Sequence, residues 1–436
     1  MNRPSNPRLL HAPLYSWYGD DFTGSTDVLE ALGLYGVKAV LFTRTPRPRD
    51  LASFSDCRAI GIAGESRSRN PQWMSRNLPP IFRSLRGIGA PINHYKVCST
   101  FDSSSRSGSI GRAMELGRAA FGGRPVPIVV GAPYLGRAVV YGNLFAESDG
   151  IMYRIDRHPT MRRHPVTPMT EADLRLHLAK QTPLPLGLVD TTAFQSTAAE
   201  SRFQAEIDAG ASGIVFDGFS DAMLHEIARI LWNRAAKRPL FAVGSSGLTH
   251  GLLQLWKSIG LIRAAIPPAP AKPVDRLLVL SGSCSPATAR QIRRSQQLGF
   301  AAWRLPGTAP WRTQAVKARE ALQNGRSVVL YTALGPQPKG AKHGESFGES
   351  LGGLLRRLVL ATGVRRVLIA GGDTATHSVK QLKLDALTFV ASLSPGVPLC
   401  CGHATGSPLH GLELALKGGQ MGPDDFFSQV RDGCAN

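Results

Sequence analysis

Short apolar runs recur along the chain, and each breaks off at Gly, Ser, Thr or Asp before a stretch with helical spacing. The first runs through Tyr15-Ser16-Trp17-Tyr18 and ends at Gly19-Asp20-Asp21-Phe22-Thr23-Gly24-Ser25-Thr26-Asp27. Val28, Ala31, Leu32 and Tyr35 then follow helical periodicity, Gly36 stops that helix, and Val37 to Phe42 reads as the next strand. These residues predict a βαβ unit with two acids at the carboxyl end of its first strand. Further strands are predicted at 59–63, 94–97, 127–130, 187–190, 213–217 and 240–243, with helices over 171–181 and 221–236. Beyond residue 275, strands are predicted at 277–280, 327–331, 367–370 and 388–391. One helix is expected from Ala287 through Gln297 and another ends at Leu382. The alternation predicts an α/β protein of two domains, each with a largely parallel sheet flanked by helices.

The domain division follows from a proline-rich stretch, Ala264-Ala265-Ile266-Pro267-Pro268-Ala269-Pro270-Ala271-Lys272-Pro273, which reads as an extended linker. It separates a domain at 14–263 from one at 275–436, with 264–274 as linker and 1–13 as a polar, disordered lead-in. At 436 residues and 43% hydrophobic composition, the chain can bury a core in each. It holds no apolar run of membrane-spanning length and no apolar leader, so a cytoplasmic protein without a membrane partner is expected. The six cysteines form no CxxC pair and the histidines are scattered, which argues for reduced thiols rather than structural zinc. The net charge of +20 admits nucleic acid as a partner. The cations are dispersed, however, with their densest stretch at Arg154 to Arg163, and serve small anionic ligands equally well.

Several segments carry candidate chemistry. Asp20 and Asp21 end a strand where open α/β sheets bind ligands; the alternative is a helix cap, with Asp21 or Thr23 satisfying free backbone amides. In Lys96-Val97-Cys98-Ser99-Thr100-Phe101-Asp102-Ser103-Ser104, one cation stands among hydroxyls with an acid six residues on. That composition suits a polyhydroxy carboxylate, or else a solvated loop. His158 and His164, flanked by Arg157, Arg162 and Arg163, offer an anion site or a basic surface loop. Ser281-Gly282-Ser283-Cys284-Ser285-Pro286 and Gly371-Gly372-Asp373-Thr374 each join an apolar strand to a helix. Such turns suit phosphate, with backbone N–H groups and the positive helix end as donors. Asp373 suits a magnesium ion or a hydroxyl; each turn alone is also an ordinary cap. In Leu416-Lys417-Gly418-Gly419-Gln420-Met421-Gly422 a cation sits beside glycines, which suits a phosphate, though Gly418 also reads as a helix C-cap.

The chain lacks GxxxxGK[ST], GxGxxG and HExxH, which removes support from P-loop NTPases, simple Rossmann dehydrogenases and zincins. The readings left open include a non-catalytic basic protein that binds nucleic acid or nucleotide, and a dehydrogenase or aldolase.

Nine short motifs in order carry a resemblance: GDDFTGSTD (19–27), KVCSTFDSS (96–104), GSIG (108–111), HPVTPM (164–169), VGSSGL (243–248), SGSCS (281–285), GGDTA (371–375), PGVP (395–398) and LKGGQMG (416–422). The chain resembles the four-carbon acid sugar kinase family from about residue 15 to about residue 427. The resemblance implies ATP- and Mg²⁺-dependent phosphorylation of a small sugar acid or oxo sugar acid, such as a threonate, an erythronate, a 3-oxo-tetronate or 3-oxo-isoapionate. The sugar acid would lie in the first domain and ATP in the second; a homodimer is compatible with it. By position, Asp20 and Asp21 are the implied catalytic acids, with Thr23, Gly24, Lys96, Ser99, Thr100 and Asp102 on the substrate side. Ser281, Gly282, Ser283, Gly371, Gly372, Asp373, Thr374, Gly396 and Gly419 fall on the nucleotide side. Three departures are mild: Gly-Ser for Gly-Ala after the aspartates, Gly372-Asp373 for Gly-Glu, and Lys-Gly-Gly-Gln-Met-Gly for Lys-Ser-Gly-Asn-Phe-Gly.

Overall fold

A computed structural model describes residues 12–164, 166–262, 270–307, 309–335 and 345–433. The expected lead-in, apart from its last two residues, and the linker residues 264–269 lie outside the described residues. In chain order the first elements are β1 (Tyr15–Gly19), α1 (Phe22–Leu34), β2 (Ala39–Phe42), α2 (Pro48–Ala52), β3 (Ala59–Ala63), α3 (Pro71–Ile88), β4 (Ile92–Lys96), α4 (Ile110–Ala120) and β5 (Val126–Val129). There follow β6 (Arg137–Val140), β7 (Asn143–Ser148), β8 (Ile151–Arg154), α5 (Leu174–Ala179), β9 (Leu186–Val189), α6 (Thr191–Gln195), α7 (Ala199–Asp208), β10 (Gly213–Phe216), α8 (Asp221–Ala235), β11 (Leu240–Gly244) and α9 (Ser246–Ser258). After the linker come β12 (Leu278–Ser281), α10 (Pro286–Gln297), β13 (Ala301–Arg304), α11 (Arg312–Gln323), β14 (Val328–Tyr331), α12 (Glu345–Thr362) and β15 (Arg366–Ala370). The chain closes with α13 (Gly372–Leu382), β16 (Ala386–Ser394), β17 (Val397–His403), β18 (Glu413–Lys417) and α14 (Phe426–Asp432).

The elements pack as two units. The first comprises 1–20, 35–38 and 45–265; the second comprises 21–34, 39–44 and 266–436. The linear division places all of 14–263 in one domain, yet α1 and β2 pack with the second unit. The cause is local. Leu41 and Phe42 of β2 pair antiparallel with Leu387 and Ala386 of β16. Arg44 extends the join with an ion pair to Asp385 at 2.9 Å. On α1, a Cβ at Gly33 would fall 2.1 Å from the Phe389 ring, so only glycine lets helix and strand approach this closely.

In the first unit seven strands run parallel in the order β3-β1-β4-β11-β5-β10-β9. Both faces are covered, as a parallel sheet requires; β1, β3, β4 and β11 are buried along their whole lengths. Tyr18, Tyr95, Phe82 and Phe241 interlock in this core. Several of its buried polar groups are paired: Ser16 Oγ donates to Asn93 at 2.7 Å, and the His94 ring bridges Tyr15 (2.5 Å) and the Gly244 carbonyl (3.0 Å). Strands β6, β7 and β8, which the apolar pattern does not predict, form a small antiparallel sheet whose outer strand is mostly exposed.

In the second unit β13-β14-β12-β15-β18 are parallel, and β17, β16 and β2 continue antiparallel. The described end of the expected linker is anchored here. Arg366, fully buried, pairs with Glu413 at 2.7 Å and donates to the Lys272 carbonyl at 2.6 Å, and Val274 N donates to Arg431 O at 2.9 Å. Among the described residues no helix is long and apolar enough to cross a membrane.

Candidate functional sites at the strand ends

In the first unit the chain leaves β1 for β3 on one side and returns to β4 on the other. Ligands bind outside the carboxyl ends of strands at such a reversal. Asp20 follows β1 and Lys96 ends β4; both are buried, and Asp20 N donates to Lys96 O at 2.9 Å. Lys96 Nζ donates to the Val97 carbonyl at 3.1 Å. The loop after β4 turns at Phe101, which holds a positive φ of 55°.

Asp102, next in that loop, is a fully buried hub. Arg67 Nη2 donates to both of its oxygens at 2.8 and 3.0 Å, Thr100 Oγ1 at 2.6 Å and Thr167 Oγ1 at 2.9 Å. Burial pushes its pKa up, but Arg67 first, then Thr100, His164 and Thr167, outweigh that and hold the carboxyl below its usual range. Thr167 Oγ1 also lies 2.9 Å from His164 Nδ1. The structure thus gathers Thr100, Asp102 and His164 and adds Arg67 and Thr167, which spacing alone does not single out. Ser99 is half-buried beside them. Ser103 Oγ contacts His177 Nε2 at 2.8 Å, and burial pushes that imidazole down to about 4.

Asp21, Thr23 and Gly24 open α1 in the second unit. Asp21 is the helix cap: its Oδ1 accepts from Gly24 N at 2.5 Å, and its carbonyl accepts from Ser25 N and Oγ. Thr23 Oγ1 is buried and has no partner among the described residues. Farther along α1, buried Glu30 accepts from Ser392 Oγ at 2.5 Å and from Gly396 N at 2.8 Å. Gly396, at φ 77°, turns the β16–β17 hairpin. Burial, against the pull of Ser392 and Gly396, pushes the Glu30 carboxyl up to about 8.

The second unit has its own reversal, between β12, flanked by β14, and β15. Three loops meet there. Ser281 ends β12, and its buried hydroxyl has no partner among the described residues. A Cβ at Gly282 would fall 1.9 Å from Thr374 Oγ1, so the two turns touch through a bare backbone. Gly371, at φ 113°, lies against Ser283 N, and a Cβ at Gly419 would fall 2.7 Å from Ser283 Oγ. A Cβ at Gly396 would fall 3.1 Å from Met421, which brings the hairpin turn to the same place. Helix α10, capped by Ser285, and helix α13, opened by Gly371 and Gly372, begin at this point. Gly418 follows a strand, so its expected role as a helix C-cap does not apply. Asp373 lies in the first turn of α13; its side chain is outside the described residues.

A ring of backbone N–H groups, two helix N-termini and an unpartnered buried hydroxyl fit the phosphates of a nucleotide. Among the described residues no cluster of three His, Cys, Asp or Glu side chains can hold a metal ion. Magnesium in phosphate chemistry is held largely by phosphates and water, and such a site needs no cluster. The described cysteines, Cys57, Cys98, Cys284, Cys400 and Cys401, are free thiols.

These two sites fall within two family models. A sugar-binding N-terminal domain matches residues 15–252, and a nucleotide-binding C-terminal domain matches residues 278–427. The chain is 41% identical to a 3-oxo-isoapionate kinase of Paraburkholderia graminis, covering 96% of this chain and 94% of the relative. It is 32% identical to a 3-oxo-tetronate kinase of Pseudomonas fluorescens, covering 98% and 97%. A solved structure from Salmonella typhimurium LT2 shares the fold at a TM-score of 0.76 and 24% identity, covering 95% of this chain and 98% of that one. A second, from Haemophilus influenzae, does so at 0.69 and 22%, with the same coverage. The chain belongs to the four-carbon acid sugar kinase family.

Proposed function

We propose that this enzyme transfers the terminal phosphoryl group of ATP to a hydroxyl of a small oxo sugar acid, with 3-oxo-isoapionate as the first candidate substrate and 3-oxo-tetronate as the second. The observation that carries the nucleotide half is the Ser281 hydroxyl, buried and unpartnered where two helix N-termini and three glycine turns meet. ATP supplies the phosphoryl group, and accompanying Mg²⁺ neutralises charge on its phosphates. The turns at 281–283, 371–374 and 418–419 hold those phosphates through backbone N–H groups and hydroxyls. The buried cation Lys96 pairs with the substrate carboxylate. Asp102 fixes Arg67 and Thr100 at the same site, so that they meet the sugar acid already oriented. One of the two adjacent acids, Asp20 or Asp21, takes the proton from the attacking hydroxyl. The relatives' named substrates and the full-length similarity support the substrate class. A phosphoryl donor of this kind and free thiols suit a cytoplasmic location.

The test is ADP release with ATP and Mg²⁺ across 3-oxo-isoapionate, 3-oxo-tetronates, threonate and erythronate. Turnover on an oxo acid above the plain acids is expected. ADP binding without turnover on any of them would overturn the substrate class. Absence of ADP binding would overturn the kinase reading itself.

A further inference from the structure

We propose that Lys417 is an anion receptor of the nucleotide site, its ammonium pairing with a phosphate group of the bound nucleotide. The inference rests on the assignment of the second unit to nucleotide.

Lys417 ends β18 and is completely buried. Its Nζ donates to Thr288 Oγ1 at 3.1 Å and to the Gly419 carbonyl at 3.4 Å. An ammonium has three donors, so one has no acceptor among the described residues. Neither acceptor is charged, and no described carboxylate compensates the cation. Burial alone pushes its pKa down, to about 8.

The placement is also unfavourable to a cation. Thr288 stands in the first turn of α10, whose N-terminus is the positive end of the helix dipole. The Lys417 carbonyl accepts from Gly371 N at 3.0 Å, which sets the residue beside the start of α13 as well. A buried, unpaired charge is among the costliest features a fold can keep. Here it stands beside two positive helix ends, next to a turn with an unpartnered buried hydroxyl at Ser281. An anion in that space satisfies the ammonium, the helix ends and the hydroxyl together. The bound chemistry is a phosphate group, supplied either by a nucleotide or by free phosphate. A purely structural role is the rival: Lys417 and Thr288 Oγ1 both donate to Gly419 O, the latter at 2.7 Å, and so brace the 418–422 loop.

The experiment compares wild-type protein with Lys417→Met and Lys417→Gln in titrations of ADP, adenosine and inorganic phosphate. Losing a charge-assisted contact lowers ADP affinity about ten- to hundredfold. Adenosine affinity should change less than about threefold, well under one such contact. The melting temperature of unliganded Lys417→Met should equal or exceed that of wild type, because an uncompensated charge is gone. Equal loss for ADP and adenosine, or a lower melting temperature with unchanged ADP affinity, would establish the bracing role and overturn the proposal. Tight phosphate binding lost in the variants, with ADP affinity intact, would assign Lys417 to free phosphate and overturn the nucleotide form. If the wild type binds no ADP, the nucleotide reading fails first. Should neither variant fold, the wild type decides: pyrophosphate alone should raise its melting temperature, and stabilisation by adenosine with none by pyrophosphate would overturn the inference.

Discussion

Replacing Glu30 by glutamine should remove a pH dependence that the fold imposes on the second unit. Burial raises the Glu30 carboxyl from an ordinary 4.5 to about 8. Between those values the folded chain holds a proton that the unfolded chain has released. Stability therefore falls as pH rises, by about 1.4 kcal/mol per pH unit, and levels off above the folded value. Over the interval from 4.5 to 8 the loss approaches about 5 kcal/mol, an upper figure that needs little discount for solvent because the residue is buried. The substituted amide resembles the neutral acid in shape: its Oε1 accepts from Gly396 N and its Nε2 donates to Ser392 Oγ. Wild type and Glu30→Gln should match near pH 4.5, and the variant should lead by several kcal/mol at pH 8. Urea unfolding of both full-length proteins at each pH from 5 to 8 measures the difference, and taking the difference cancels every other titrating group. A gap that stays constant across this range would refute the reasoning. It would mean that the Ser392 and Gly396 donors keep the carboxylate ionised in the folded protein.

Three further outcomes follow from the two sites. Asp102→Asn breaks a buried ion pair and should cost about 3 kcal/mol in unfolding, because Arg67 loses its counter-charge; an unchanged denaturation midpoint would remove Asp102 from its role as hub. Gly282→Ala places a methyl 1.9 Å from Thr374 Oγ1 and should lower ADP affinity more than tenfold by calorimetry. Sugar-acid affinity should hold, and equal losses for both ligands would count against a local clash. Asp20→Asn and Asp21→Asn separate base from cap: the base variant should lose about 10²–10⁴ in kcat. The Asp21 variant should keep its stability, because asparagine Oδ1 can still accept from Gly24 N and caps a helix about as well as aspartate, and two variants each within tenfold of wild-type turnover would leave neither acid as the base.

Much of the strand framework was legible in the sequence because parallel strands buried on both faces are continuous apolar runs. The ends of β1, β4, β12 and β15, and with them Asp20, Lys96, Ser281 and Gly371, could be placed from where such runs stop. Strands β6 to β8 escaped because their exposed faces interrupt the apolar pattern. The partners that complete each site are distant in sequence: Arg67 and Asp102 are 35 residues apart, Thr167 and Asp102 65, and Glu30 and Gly396 366. No local periodicity encodes such pairs. The start of α1 shows a second limit. Its helical spacing was plain, but spacing cannot say which sheet a helix will cover; that was decided by Gly33, whose missing side chain admits Phe389. Asp21 was legible both as acid and as cap, and the structure realises the cap.

Because α1 and β2 belong to the second unit, that unit is discontinuous, and its timing during synthesis follows. Residues 21–44 leave the ribosome early, but β16, which β2 pairs with, and β17, which α1 packs on, are complete only at His403. At about 5–20 residues per second, the helix and strand wait roughly 20–70 s for their partners. During that interval Leu41 and Phe42 form an unpaired apolar edge, the kind of segment that chaperones engage. The same arrangement governs dissection: a fragment of 275–436 would lack an outer strand and Glu30, and one ending at 263 would carry α1 and β2 without the strands β16 and β17 that they pack against. Splitting the protein into its two binding halves therefore requires grafting residues 21–44 onto the second, rather than a single cut in the linker.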